Sequence, residues 1–203
     1  MYIYIYVLMV KTLNYKVVLF GETSVGKSSI VSRFINDTFL EFREPTIGAA
    51  FQTQFTHIGD CIVKMEFWDT AGQERYMSFA PLYYRGAKAA FIVYDITNSD
   101  SLVNAKYWID TLNNRGEPDC ILVLLGNKSD LHNRQVEYEE VATFAKSNNI
   151  LFSEVSAKNG SNIHEIMINV AKELASKTPS HHVDDEPFAI KRHTRVNTTY
   201  HCC

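Results

Sequence analysis

The chain has 203 residues, of which 46% are hydrophobic, and its formal net charge at pH 7 is -3. This length and apolar fraction suit one domain with a sizeable core and tails, and leave too little chain for two domains. The small net charge and the lack of a basic cluster interleaved with aromatic residues argue against nucleic acid as a partner. Cys61 and Cys120 lie far apart without metal-ligand spacing, which favours neither a zinc site nor a disulfide framework and fits a reducing cytosol.

The first ten residues, MYIYIYVLMV, form an apolar run that could be read as a targeting signal. No basic residue precedes the run, no small-residue cleavage site follows it, and roughly 20 apolar residues are needed to span a bilayer. We therefore expect residues 1–10 to be an apolar extension rather than a secretory signal, and Met9 would also be a sensible native start. A single domain is expected over residues 11–175.

From Lys16, short apolar runs alternate with stretches of helical periodicity, which is typical of a mainly parallel sheet covered by helices. KVVLFG is the predicted first strand, and residues 27–36 form the first predicted helix. Two strand candidates flank the turn HIGDC, and the alternation of polar Lys64 and Glu66 with apolar residues predicts a half-exposed hairpin at one edge. AAFIVYD and CILVLLG end in polar residues, as expected for central parallel strands whose carboxyl ends open onto a site.

Apolar residues at helical spacing predict three further helices. Their buried faces are predicted to contain Leu102, Ala105, Ile109 and Leu112 in one helix, Val141, Phe144 and Ala145 in the next, and Ile163, Ile166, Met167, Val170, Ala171 and Leu174 in the last. After Ser176 the periodicity stops, and the polar, proline-containing remainder predicts a flexible tail over residues 176–203.

The stretch GETSVGKS, from Gly21 to Ser28, matches the pattern GxxxxGK followed by Ser or Thr, and it lies between a predicted strand and a predicted helix. In such a loop, backbone N–H groups converge on phosphate oxygens, Lys27 neutralises the β- and γ-phosphates, and the Ser28 hydroxyl ligates Mg²⁺. A purely structural glycine turn is the alternative. The predicted nucleotide-binding residues of this loop are Thr23, Ser24, Val25, Gly26, Lys27, Ser28 and Ser29.

A second motif, GNKSD, follows the apolar strand CILVLL and indicates which base is bound. It places Asn127, Lys128 and Asp130 at the carboxyl edge of the sheet, where a base could lie. A carboxylate at Asp130 can accept hydrogen bonds from both the ring N–H and the exocyclic amine of guanine. Adenine lacks this pair of donors and would leave the carboxylate unpaired, so the motif predicts guanine recognition.

The stretch WDTAGQE supplies residues for the chemistry of the phosphates. Asp69 is predicted to end a strand beside the phosphate loop and to hold Mg²⁺ through water. Gly72 can bring its backbone N–H against a γ-phosphate, and Gln73 can orient the attacking water as the catalytic residue. The alternative for Gln73 alone is an ordinary surface glutamine.

Together these motifs resemble those of the Ras-like small GTPases, and within them the Rab family, over roughly residues 14–175. The resemblance implies an α/β fold, the P-loop NTPase G domain, with a mostly parallel six-stranded sheet, one antiparallel edge strand and helices on both faces. It also implies a switch that binds GTP or GDP with Mg²⁺ and hydrolyses GTP slowly. By the same resemblance, Thr46 coordinates Mg²⁺ and the γ-phosphate, and the nucleotide-binding set is completed by Phe39, Glu41, Ser156, Ala157 and Lys158.

Several short stretches resemble segments that distinguish Rab proteins, namely IGAAF, WDTAGQERY, YYRGA and VYDIT. Phe51, Trp68 and Tyr83 stand where Rab proteins have the hydrophobic triad that contacts effectors, although core packing is the alternative for Trp68. TIGAAF and APLYYRGA look most like the early-endosome Rab subgroup. The resemblance implies a monomeric switch that works with an exchange factor, a GTPase-activating protein, a GDP-dissociation inhibitor and effectors, on the cytoplasmic face of endosomal membranes and cycling through the cytosol.

The chain ends in HCC, and the paired cysteines Cys202 and Cys203 admit three chemistries. A disulfide between neighbouring cysteines would be strained and would be reduced in the cytosol. A metal would lack a fourth ligand in a fixed frame. The resemblance to Rab proteins implies the third, double geranylgeranylation, and because one lipid chain binds a membrane only marginally, both cysteines should be needed.

Two departures from the family pattern bear on hydrolysis. Thr23 stands where Ras proteins have glycine near the γ-phosphate, so the intrinsic rate cannot be carried over. Arg43 stands three residues before Thr46, the offset at which heterotrimeric G-protein α subunits carry a catalytic arginine. A solvated arginine on a loop is the ordinary alternative. The rival functions are an ATP-dependent phosphotransferase and a nucleotide-binding scaffold without turnover.

Overall fold

The computed structural model describes residues 10–70 and 80–177 of the chain. This part of the chain forms the strands β1 (Lys11–Phe20), β2 (Ala49–Ile58), β3 (Cys61–Thr70), β4 (Ala89–Asp95), β5 (Ile121–Asn127) and β6 (Leu151–Glu154). Its helices are α1 (Lys27–Asn36), α2 (Ala80–Tyr84), α3 (Ser99–Arg115), α4 (Tyr138–Ser147) and α5 (Ile163–Lys177). None of these helices combines the length and apolar character that a membrane crossing requires.

The six strands form one sheet in the order β2-β3-β1-β4-β5-β6. The pairs β1–β3, β1–β4, β4–β5 and β5–β6 are parallel, and β2 pairs antiparallel with β3 at one edge. The sheet therefore confirms the predicted mostly parallel sheet with one antiparallel edge strand. Strand β1 has β3 as its neighbour on one side and β4 on the other. The loop after β1 therefore lies at the position where ligands bind in open parallel sheets.

Both faces of the sheet are covered by helices, which confirms the predicted α/β fold. In β1, Val17 and Leu19 contribute to the core with α1 and α5, whereas Val18 and Phe20 contribute to the core with α3 and α4. The ring of Phe20 stacks on that of Trp108 at a centroid distance of 4.4 Å. Because successive side chains alternate between two buried faces, β1 is apolar at every position from Val17 to Phe20 rather than at every second one.

The predicted helix faces agree with the buried side chains of α3 and α5, including every residue predicted on the stripe of α5. Helix α5 runs to Lys177, two residues into the predicted tail, where Lys177 pairs with Glu173 one turn earlier. Strand β1 begins at Lys11, before the predicted start at Lys16. The extra residues are held by the β3 register and by the hydroxyl of Tyr15, which donates to the Leu174 carbonyl at 2.8 Å.

The predicted apolar extension and most of the predicted tail fall on residues 1–9 and 178–203, which lie outside the described residues. The predicted apolar extension and flexible tail remain expectations for these two stretches.

Candidate functional site

A cavity of about 480 Å³ opens at the carboxyl edge of the sheet. Its size is within the range of roughly 300–1,000 Å³ that is usual for small-ligand sites. Most predicted nucleotide-binding residues line it, namely Thr23, Ser24, Gly26, Lys27, Ser28, Ser29, Phe39, Glu41, Thr46, Asn127, Lys128, Asp130, Ala157 and Lys158. Val25 and Ser156 are buried, and each contacts a residue that lines the cavity. The fold thus brings residues from four separate motifs to one place.

The glycines of the loop between β1 and α1 are required by close backbone approaches. Gly21 has a φ of +137°, and a Cβ on it would overlap the carbonyl oxygen of Val93. Gly26 has a φ of +99°, and a Cβ on it would overlap the side-chain nitrogen of Asn127. Any side chain at these positions would be strained and would also displace the Val93 backbone or the Asn127 side chain. The two glycines therefore allow the loop to approach Val93 of β4 and the side chain of Asn127 closely.

Lys27 lies at the start of α1 and is almost fully buried. Its Nζ donates hydrogen bonds to the carbonyl oxygens of Gly21 at 2.9 Å and Glu22 at 2.8 Å. Burial lowers the pKa of Lys27 to about 8, and the charges of Asp69 and Glu22 oppose this shift. The first turn of α1 holds no acidic residue. The ammonium group and the positive end of the helix dipole therefore both favour an anion in this part of the cavity.

Three predicted metal ligands, Ser28, Thr46 and Asp69, come from α1, from the segment before β2 and from β3. The hydroxyl oxygens of Ser28 and Thr46 are 3.0 Å apart. Asp69 is only 2% exposed, and its Oδ1 is buried with no hydrogen-bond partner among the described residues. Burial raises the pKa of Asp69, whereas a hydrogen bond from Ser28 and the charges of Lys27 and Arg43 lower it.

These side chains fit a hard divalent cation. Mg²⁺ prefers oxygen ligands and usually keeps several waters, so two hydroxyls and a nearby carboxylate suit it. A cation would also interact with Oδ1 of Asp69, which has no hydrogen-bond partner among the described residues. Within residues 10–70 and 80–177, no cluster of three or more His, Cys, Asp or Glu side chains offers a different metal site.

At the other end of the cavity, Asn127 joins two loops. Its side-chain nitrogen donates to the carbonyl of Val25 at 2.8 Å, and its side-chain oxygen accepts from the backbone N–H of Ala157 at 3.1 Å. The hydroxyl of Ser156 donates to Oδ1 of Asp130 at 2.6 Å. Asn127 thus fixes the phosphate loop relative to the loop after β6, and Ser156 orients the carboxylate that is predicted to recognise guanine.

The sequence model of the Ras family matches residues 16–176, which is most of the chain. The chain belongs to the Ras family. As a Ras-family protein, it is a small GTPase that acts as a switch, with GTP or GDP and Mg²⁺ as the ligands of the family and with regulators and effectors as its partners. Family membership also sets aside the rival interpretation as an ATP-dependent metabolic phosphotransferase.

Two of the three aromatic residues predicted to contact effectors of this Ras-family protein touch one another. Phe51 on β2 is 54% exposed, and its ring meets that of Trp68 edge-on at a centroid distance of 5.5 Å. Trp68 and Tyr83 are half-buried and pack against the core beneath α3 and α4. The amine of Lys16 lies 4.9 Å from the centre of the Trp68 ring. Trp68 therefore has both a core side and a side that partners could reach.

Other residues at the site carried no nucleotide-binding prediction. Leu40, Glu44, Pro45, Thr70 and Leu131 line the cavity beside predicted residues. Arg43 lines it too and contributes charge near Asp69, which places it on the side of the predicted metal ligands. Arg33 of α1 donates to the carbonyls of Ala157 at 2.9 Å and Lys158 at 2.7 Å. Position next to a predicted motif was the only sequence signal for most of these.

Gly72, Gln73, Cys202 and Cys203 lie outside the described residues. Their predicted roles, in γ-phosphate contact, in orienting water and in lipidation, remain predictions.

Proposed function

We propose that this Ras-family protein is a Rab-type GTPase that regulates vesicle trafficking, at early endosomal membranes. The proposal is carried by the contact between exposed Phe51 and half-buried Trp68, at the position where the resemblance to Rab proteins predicts effector binding. An exposed aromatic ring braced by a second ring is costly to leave in water, and aromatic anchors dominate protein interfaces. The stretches IGAAF, WDTAGQERY, YYRGA and VYDIT support the same assignment.

For hydrolysis, we propose that the chain works by positioning and charge stabilisation rather than by covalent chemistry. Lys27 offsets the charge that develops on the β- and γ-phosphates. Ser28, Thr46 and Asp69 would hold Mg²⁺, which adds positive charge at the same oxygens when bound. Gln73 would orient the water in line with the bond that breaks.

Thr46 provides the proposed link between nucleotide and effector surface. Its hydroxyl lies 3.0 Å from that of Ser28, and the segment between α1 and β2 that carries it contains no helix or strand. A γ-phosphate would give this segment an anchor, and hydrolysis would remove the anchor. Because Phe51 follows Thr46 closely in the chain, partners that read Phe51 would prefer the GTP form.

We propose that Cys202 and Cys203 are both geranylgeranylated and that a GDP-dissociation inhibitor shields these lipids while the protein cycles through the cytosol. The basic residues Lys177, Lys191, Arg192 and Arg195 are nearly balanced by Asp184, Asp185 and Glu186, so the tail offers little electrostatic membrane attraction. The second lipid must therefore supply the second anchoring signal. Cys203→Ser should move the protein from membranes to cytosol in cell fractionation, and an unchanged distribution would contradict the two-lipid proposal.

The proposed function can be tested by affinity capture. Gln73→Leu should hold the GTP form, and Ser28→Asn should favour the GDP form by weakening Mg²⁺ binding. Partners that bind only the Gln73→Leu protein should include proteins of endosomal trafficking. Adding Phe51→Ala should release them, whereas Phe55→Ala, which removes a ring of similar exposure on the same strand, should not.

Two results would contradict the proposal. If no partner distinguishes the two nucleotide forms, the protein is not a switch for effectors. If Phe55→Ala and Phe51→Ala release the same partners equally, the braced pair of rings is not the surface that they read.

A further inference from the structure

Asp95 is a buried carboxylate that lies beside the cavity and is not among the predicted nucleotide-binding or metal-binding residues. It ends β4 and lies directly across the sheet from Asn127, the last residue of β5. Its Oδ1 accepts hydrogen bonds from the backbone N–H of Thr97 at 2.8 Å and from the Thr97 hydroxyl at 2.7 Å. Its Oδ2 lies 2.5 Å from Nζ of Lys128. The two oxygens therefore have two separate partners, a turn and a lysine.

Lys128 is the residue through which Asp95 can act on a ligand. It lines the cavity between Asn127 and Asp130 and has a φ of +68°. Few residues other than glycine adopt this left-handed conformation, so the loop must be held there by its contacts. With its ammonium group paired to Asp95, Lys128 can present its aliphatic stem to the flat face of a base.

We propose that Asp95 is a positioning residue for nucleotide binding, which fixes Lys128 in the cavity wall before the base arrives. This inference rests on the proposed role of Asn127, Lys128 and Asp130 in guanine binding. A long side chain that must be ordered on binding typically weakens association by roughly 2- to 12-fold. Pairing with a buried, doubly anchored carboxylate removes that loss, because Lys128 is ordered in advance.

The competing explanation is that Asp95 only shapes the turn between β4 and α3. The two explanations can be separated because they use different oxygens. Asp95→Asn keeps an oxygen that can accept both hydrogen bonds from Thr97, but it replaces Oδ2, the partner of Lys128, with an NH2 group, which is a donor and cannot accept from an ammonium group. Thr97→Val does the reverse, since it removes the hydroxyl donor to Oδ1 and leaves the ion pair intact.

The experiment measures the dissociation constant of a fluorescent GDP analogue for the full chain at fixed Mg²⁺. The variants are Asp95→Asn, Thr97→Val, Lys128→Met and the double variant Asp95→Asn with Lys128→Met. Asp95→Asn should raise the dissociation constant by roughly 2- to 12-fold, and Thr97→Val should lower the melting temperature without a comparable rise in the dissociation constant. In the Lys128→Met background, Asp95→Asn should have little further effect, because the residue through which it acts is gone.

A second measurement does not depend on how the Asp95 variant folds. In the nucleotide-free wild-type protein, NMR relaxation of the lysine side-chain methylenes should show Lys128 to be more ordered than Lys158. Lys158 is the suitable comparison because it lines the same cavity and is exposed. Equal disorder of the two side chains would overturn the proposal.

The remaining outcomes are also decisive. An unchanged dissociation constant in Asp95→Asn, or effects that simply add in the double variant, would overturn the positioning role and leave guanine binding intact. If the wild-type chain fails to bind GDP, the proposed nucleotide site itself is wrong. A coupled loss in the Asp95 and Lys128 variants would support the inference.

Discussion

Replacing Ser156 with alanine should weaken GDP binding about tenfold. Ser156 is fully buried, and its hydroxyl donates to Oδ1 of Asp130 at 2.6 Å. The hydroxyl oxygen of Ser156 also accepts from the backbone N–H of Asn159 at 3.2 Å. The substitution therefore releases the carboxylate that is predicted to recognise guanine and leaves one backbone donor without its partner.

The magnitude follows from the kind of bond that is lost. Hydrogen bonds to charged groups contribute about 1.5–3 kcal/mol. Asp130 is half-exposed, so water can replace part of this interaction before the ligand binds, and we expect the lower end of the range. A loss of about 1.5 kcal/mol corresponds to about a tenfold change in Kd.

The assay is competition between unlabelled nucleotide and a fluorescent GDP analogue at fixed Mg²⁺, with GDP and IDP compared. IDP, the inosine nucleotide, lacks the exocyclic amine of guanine, so it can make only one of the two hydrogen bonds to Asp130 and can lose only that one. The preference for GDP over IDP should therefore fall in Ser156→Ala. Ser153→Ala is the matched control, because the hydroxyl of Ser153 makes only a long bond of 3.4 Å to the carbonyl of Glu154.

Two results would refute this reasoning. Unchanged GDP affinity would mean that Ser156 does not orient Asp130 in the complex. Equal losses for GDP and IDP would mean that the substitution loosens the loop as a whole rather than the contact with the base.

Three further predictions concern other parts of the fold. Gly26→Ala should destabilise the protein by about 1–3 kcal/mol, because a φ of +99° is unfavourable for alanine and the new Cβ would overlap the side chain of Asn127. Denaturant unfolding of the GDP-bound protein would measure the change in the free energy of unfolding, and an unchanged value would contradict the prediction. Burial raises the pKa of the Cys120 thiol to about 11. Because only the thiolate reacts, the alkylation rate of Cys120, followed by peptide mass spectrometry, should keep rising up to about pH 11. A plateau of this rate near pH 9 would contradict the raised pKa. If Arg43 stabilises the transferred phosphoryl group, Arg43→Ala should slow single-turnover hydrolysis in the absence of an activating protein, and an arginine in that role is worth about 10³–10⁵ in rate. Phe42→Ala is the neighbouring control. A rate for Arg43→Ala that equals those of the wild type and the control would mean that Arg43 is an ordinary solvated side chain.

The central strands could be predicted because burial on both faces requires consecutive apolar residues, which are visible in the sequence. Val17 to Phe20 are apolar at every position, since each face of β1 is covered by helices. The start of β1 could not be predicted in the same way. Tyr15 is held by a hydrogen bond to the carbonyl of Leu174, 159 residues away in the chain. The pattern of apolar and polar residues around Tyr15 cannot reveal so distant a partner.

The residues of the site also differ in whether the sequence could predict them. Residues within one motif, such as Lys27 and Ser28, could be assigned because the spacing of the motif determines their geometry. The contacts that hold the motifs together could not, because each joins residues that are distant in sequence. Asp95 with Lys128 and Arg33 with Ala157 are of this kind. Their residue types are common on any surface, and only the fold makes them neighbours.

These long-range contacts also determine which part of the cavity can respond to the nucleotide. Asn127 ties the phosphate loop to the loop after β6, and Asp95 holds Lys128 in the wall between them. The segment from 37 to 48 is built differently, because it contains no helix or strand and its apolar side chains Leu40, Phe42 and Ile47 are exposed. A segment with few buried contacts opens at low free-energy cost, and a hydroxyl contact through Thr46 is a weak anchor by itself. The difference between nucleotide states should therefore concentrate between residue 37 and Phe51, next to the proposed effector surface.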